Sequence, residues 1–173
     1  DVYVHANGRD VQELEDRARA YVEQGYRHVR CQIEVSGYST YGTGGSQITP
    51  AGAQPQPSYR LSVDQRPWEP RPYCRLVPRL FEHIRSRLGE EVELPPDVHE
   101  RIPPIMAIQL AKDLEPYKLF FLEDVFAPED NDYFRILRQQ TAVPIAMGEL
   151  YVNQQEYVPL IRDRLIDFIR IHI

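Results

Sequence analysis

The sequence predicts a parallel α/β fold, and three observations carry that reading. Six short apolar segments alternate with five stretches of helical period. Three acids, Asp97 in PPDVHER, Glu123 in LFFLED and Glu149 in IAMGEL, follow one another at intervals of 26 residues, each closing an apolar segment. One strand, one helix and two short loops occupy about that length, so the carboxylates are expected at the same end of three successive parallel strands.

The first strand is predicted over residues 2–5. Asp10 and Glu13 have the spacing of a capping box, Val11, Leu14, Ala18, Tyr21 and Val22 share one helical face, and Gly25 stops the helix. Residues 26–33 read as the second strand. Residues 34–71 are rich in Gly, Ser, Thr, Gln, Pro and Tyr without sustained period, longer than ordinary connections, and predict a lid-like loop. The next helix, over 72–88, turns Val77, Leu80, Phe81, Ile84 and Leu88 inward, and Pro78 is expected to bend or shorten it. Strands at 92–97, 118–123 and 144–149 then alternate with helices at 104–114 and 131–140 and one ending near 163, which Asn153 and Glu156 cap. A last strand is predicted over 167–173.

An eight-stranded barrel takes about 250 residues, and a six-strand arc leaves two edges unpaired. The alternatives are an open, doubly wound sheet and a partial barrel. The chain stops on the apolar strand FIRIHI without a covering helix, which favours a partial barrel of about six strands as one domain over 1–173.

Composition narrows the function. With 42% hydrophobic and 27% charged residues the chain reads as a soluble globular domain. A net charge of -6 without a basic cluster argues against nucleic acid. Apolar stretches are strand-sized, short of the roughly 20 residues that span a bilayer, and no secretory signal opens the sequence. Cys31 and Cys74 lack ligand spacing, so a reduced, cytoplasmic protein is expected, with a single disulfide left open. Phosphate loops, GxSxG elbows and HExxH helices are absent from the sequence, which sets aside nucleotide hydrolysis, serine acyl transfer and zinc proteolysis.

Asp97, Glu123 and Glu149 offer hard oxygen ligands that suit a divalent cation, magnesium first. The alternative is three ordinary strand-end acids facing solvent. His99, two residues after Asp97, would share its side of an extended strand and could serve as an acid or base near neutral pH. Arg30 would favour the phenolate of a nearby tyrosine, but the residues alone do not single out Tyr41 from eleven tyrosines. Arg170 and His172 alternate with Ile169 and Ile171, so Arg170 faces either an anionic substrate or a structural carboxylate. His5 has the same open status.

The strings VYVHANG, DVHERIPP, AIQLAKDLEPYKLFFLED, FRILRQQTAVPIAMGEL and LIRDRLIDFIRIHI closely resemble the mannonate dehydratase family of the enolase superfamily. The likeness covers nearly the whole chain outside residues 43–71. It implies a TIM-like (β/α)7β barrel with a separate capping domain, a homo-oligomer in the full-length protein, and action on a sugar acid with Mg2+. It implies that Asp97, Glu123 and Glu149 bind the metal, that Tyr41 assisted by Arg30 removes the proton beside the substrate carboxylate, and that His99 protonates the departing hydroxyl. His5 and Arg170 match substrate-contacting positions, with Glu149 beside them. The implied reaction converts D-mannonate to 2-keto-3-deoxy-D-gluconate; the alternative is a D-gluconate dehydratase or a catalytically silent sugar-acid-binding relative, the chain as given being an inactive fragment. Against the family pattern, the capping domain and last barrel strands are expected to be absent from this chain. Pro95 and Pro96 stand where a pair such as Leu-His is usual, so altered geometry is expected in the third strand.

Overall fold

The computed structural model describes residues 2–33 and 68–171. The chain runs β1 (Tyr3–Gly8), α1 (Val11–Glu23), β2 (His28–Ile33), α2 (Pro70–Leu88), α3 (Pro104–Leu114), β3 (Leu122–Glu123), α4 (Tyr133–Gln140), β4 (Ile145–Met147), α5 (Gln154–Arg162) and β5 (Phe168–Ile169). Every strand pair is parallel: β1 lies beside β2, and β3, β4 and β5 are neighbours in that order.

The third predicted strand is the main correction. Residues 92–97 form no regular strand; they bridge the two sheets through isolated pairings of Glu93 with His28 and of Asp97 with Glu123. Pro95 and Pro96 have no N–H to donate to a ladder. The segment accepts around them, Leu94 O from Phe120 N at 3.3 Å and Pro96 O from Glu123 N at 2.9 Å. Its donors lie on either side, Glu93 N to Arg27 O at 2.7 Å and Val98 N to Glu123 O at 2.9 Å. The result is one arc in the order β1, β2, residues 92–98, β3, β4, β5, and the described residues do not close a barrel.

Strand alternation sorts the two faces of this arc. Ile33 and Cys31 line a small cavity with Tyr73, Val77, Leu80 and Phe81 of α2. On the concave face the Tyr3 and Phe121 rings meet at 6.3 Å and the Phe121 and Phe168 rings at 5.3 Å. Since β1 and β3 are not neighbours, this aromatic layer shows how strongly the sheet curls. The helices cover the convex side with Leu14, Ala18, Ile84, Leu110, Phe134 and Leu137, all essentially inaccessible to water.

Local sequence explains the helix ends. Asp10 accepts from Glu13 N at 2.8 Å, while the Glu13 carboxylate turns to Arg9 N at 3.0 Å instead of completing the box. On α5 the box is complete, with Asn153 and Glu156 as its two members. Helix α2 runs unbroken through Pro78 and is not shortened as expected, because Tyr73, Val77, Leu80, Phe81 and Ile84 bury one face on both sides of the missing donor. No described helix is long and apolar enough to cross a membrane, and Cys31 and Cys74 are both free.

Candidate metal centre

Parallel pairing brings the acid-bearing strand ends together. Asp97 is paired with Glu123, and Glu123 with Ala146, three residues before Glu149. The Asp97 and Glu123 side chains are wholly buried, whereas that of Glu149 is 21% exposed.

Two guanidinium groups reach this cluster. Arg30 of β2, itself buried, pairs with Asp97 Oδ2 and lies 3.5 Å from Glu123 Oε1. Arg170, just past β5, pairs with Glu123 Oε1 and lies 3.6 Å from Asp124 Oδ2 and 3.4 Å from Glu149 Oε2. Gln32, on the same face of β2 as Arg30, donates to Asp97 Oδ2 at 3.0 Å. The His99 Nδ1 atom stands 3.3 Å from the same oxygen. Asp97 Oδ2 is therefore crowded with donors, while Asp97 Oδ1 and Glu123 Oε2 are buried without a hydrogen-bond partner among the described residues.

A fourth carboxylate, Asp124, is one the sequence reading passes over. Alternation would turn it to the opposite face from Glu123, but β3 ends at Glu123 and Asp124 adopts φ 46°. That left-handed residue returns the side chain to the cluster, where Gly148 N donates to its Oδ1 at 3.4 Å. Ligand atoms of Asp97, His99 and Asp124 lie within 4.8 Å of one another, and so do those of Glu123, Asp124 and Glu149. Asp124 thus joins the two halves of the predicted triad. In the sequence, its place directly after Glu123 is the feature that points to it.

The other predicted residues are distributed unevenly. His5 packs its ring on Tyr3 at 5.4 Å, and burial with the Arg30 and Arg170 charges lowers its pKa. Arg30 joins two of the predicted metal ligands directly. Tyr41 and His172 lie outside the described residues.

Electrostatics mark the cluster as poised for positive charge. Burial, then the Asp97 and Glu149 carboxylates, pushes Asp124 up to about 7. Burial, then Asp124, pushes Glu100 up to about 8. The hydrogen bond to Asp97 is the main cause raising His99. Among the described residues, buried carboxylate oxygens without hydrogen-bond partners and a set of acids offering only oxygen ligands fit a hard divalent cation such as Mg2+.

A pH dependence follows with a definite sign. Between their ordinary and raised values, Asp124 and Glu100 hold more protons folded than unfolded, so their contribution to stability falls as pH rises. A bound cation offsets that growing charge. The rise in Tm on adding Mg2+ is expected to be small at about pH 5 and to grow toward about pH 8. A Mg2+ effect that is flat over this range in thermal melts would contradict the assignment.

The family model described as enolase C-terminal domain-like matches residues 13–173. The chain is 48% identical over 178 residues to the D-galactonate dehydratase family member RspA of Pantoea ananatis, covering 99% of this chain and 42% of that protein. It is 40% identical over 170 residues to the D-mannonate dehydratase of Rhizorhabdus wittichii, covering 98% of this chain and 41% of that one. The crystal structure of an enolase from Pantoea ananatis with bound D-gluconate and Mg matches with a TM-score of 0.83 and 47% identity, over 99% of this chain and 42% of that chain. The chain thus spans about two fifths of the length of the curated relatives it matches.

Proposed function

Since the chain belongs to the enolase C-terminal domain-like family, we propose that it supplies the metal-binding part of a magnesium-dependent sugar-acid dehydratase. The observation that carries this reading is the convergence of Asp97, Glu123, Asp124 and Glu149 at successive strand ends with His99 beside Asp97. D-mannonate, giving 2-keto-3-deoxy-D-gluconate, is the first substrate assigned. D-gluconate is the alternative, favoured by the Pantoea ananatis structure that holds it with Mg.

In this proposal Asp97, Glu123 and Glu149 would hold Mg2+, with Asp124 a member of both groups of candidate ligands. A bound Mg2+ supplies positive charge against the negative charge that grows when a proton leaves the carbon beside the substrate carboxylate. Tyr41 takes that proton. Arg30 favours its phenolate and also holds Asp97 and Glu123 in place. His99, kept protonated to higher pH by Asp97, gives its proton to the hydroxyl on the adjacent carbon, which departs as water. The enol left behind tautomerises to the 2-keto-3-deoxy acid. Arg170 and His5, on the concave face, meet the substrate.

A panel of D-mannonate, D-gluconate and D-galactonate, incubated with the full-length protein and Mg2+, tests the proposal by formation of a 2-keto-3-deoxy acid. Dehydration of at least one is expected, with His99→Asn lowering turnover by about 100-fold or more while Mg2+ binding by calorimetry stays close to wild type. No product from any of the three would remove the dehydratase reading. Loss of Mg2+ binding in His99→Asn would recast His99 as a ligand.

A further inference from the structure

The direction in which His99 points is set by the turn that carries it. His99 and Glu100 both lie in the left-handed region, with φ 56° and 57°, a pair of conformations that residues other than glycine seldom adopt unaided. On one side the backbone of this turn is tied to the end of β3, with Val98 N donating to Glu123 O at 2.9 Å and Glu100 N to Asp124 O at 2.8 Å. On the other side the ties come from two aromatic side chains at the start of α2. The Tyr73 hydroxyl donates to Asp97 O at 3.2 Å, and the Trp68 indole N–H donates to Arg101 O at 2.9 Å. The two carbonyls bracket the left-handed pair.

The donors are themselves held. Pro70 opens α2 with its φ already helical, and the Glu69 side chain accepts from Arg71 N at 3.3 Å. Tyr73, in the first turn, is only 5% exposed. The Trp68 and Tyr73 rings contact each other at 5.6 Å with 62° between their planes. A helix start fixed in this way fixes the two donors, and the donors fix the turn.

We propose that Trp68 and Tyr73 are positioning residues, whose hydrogen bonds to Arg101 O and Asp97 O hold the turn in the shape that aims His99 at the departing hydroxyl. The inference rests on His99 as the proton donor of the proposed dehydration. Neither aromatic touches substrate in this account; each acts through the backbone of residues 97–101.

Trp68→Phe and Tyr73→Phe each keep an aromatic ring and remove the donor, and either variant alone suffices if the other fails to fold. The full-length protein is assayed with Mg2+ and the sugar acid that the wild type dehydrates, in D2O. Two rates are read: formation of the 2-keto-3-deoxy acid, and incorporation of deuterium beside the carboxylate of recovered substrate. A misplaced acid slows loss of water but not removal of the proton. Each variant is therefore expected to lower kcat for dehydration by about 10- to 100-fold with KM within about twofold. The ratio of exchange to dehydration should rise in the same direction as in His99→Asn. Equal losses of exchange and dehydration would show a merely structural role and overturn the proposal, as would dehydration at the wild-type rate. A wild type that dehydrates no sugar acid overturns the functional reading and this inference together, and is told apart because the defect then precedes any substitution.

Discussion

Replacing Arg30 by leucine is expected to destabilise the fold by about 3–5 kcal/mol, the range for breaking a buried ion pair by removing one partner. Arg30 is 3% exposed, and its guanidinium stands against the wholly buried carboxylates of Asp97 and Glu123. Leucine fills part of the volume but leaves two acids in a dry site with Gln32, His99 and Arg170 as their remaining polar neighbours. The loss lies in desolvated charge rather than in packing. Urea denaturation in chelator measures it directly. Saturating Mg2+ should restore part of the stability, because a cation among the same carboxylates replaces some of the lost positive charge. A variant as stable as the wild type in chelator would contradict a stabilising role for the ion pairs of Arg30 with Asp97 and Glu123.

Replacing Glu123 by glutamine is expected to reduce dehydration by on the order of 1,000-fold or more, about 4 kcal/mol or more at 1.4 kcal/mol per decade, and to weaken Mg2+ binding in parallel. The substitution keeps shape and volume and removes one charge. Glu123 is the acid at which both arginines meet, and its Oε2 is buried without a hydrogen-bond partner among the described residues. An amide there offers a weaker ligand and turns two donors toward groups that already carry donors. His99→Asn is the useful contrast, since it should separate loss of turnover from loss of metal. Calorimetric titration of Mg2+ into both variants, beside their turnover, reads that separation. Equal Mg2+ affinity in Glu123→Gln and wild type would place the cation elsewhere.

Much of this site was legible because one strand, one helix and two loops repeat with nearly constant length. That regularity predicts a common end for Asp97, Glu123 and Glu149; the structure pairs Asp97 with Glu123 and Glu123 with Ala146, and brings ligand atoms of Glu149, Asp124 and Glu123 within 4.8 Å of one another. The enolase-superfamily resemblance is likewise borne out by the family match over residues 13–173. Backbone conformations outside the regular periods were not legible. Strand alternation does not reveal Asp124, because it leaves its strand at positive φ. The third strand was expected to be altered at Pro95 and Pro96, but its reduction to two isolated bridges depends on which neighbours need donors. The tie from Trp68 and Tyr73 to the His99 turn joins residues 24 to 33 positions apart, which no local pattern announces.

The most direct test of a carboxylate-held Mg2+ driving sugar-acid dehydration is a chelation and add-back measurement on the full-length protein. Product formation from the best sugar acid is followed before chelation, after chelator, and after Mg2+ is restored. Turnover is predicted to fall by about 100-fold or more in chelator and to return on adding Mg2+, with no such return in Glu123→Gln. Dehydration that continues undiminished in chelator would contradict the account.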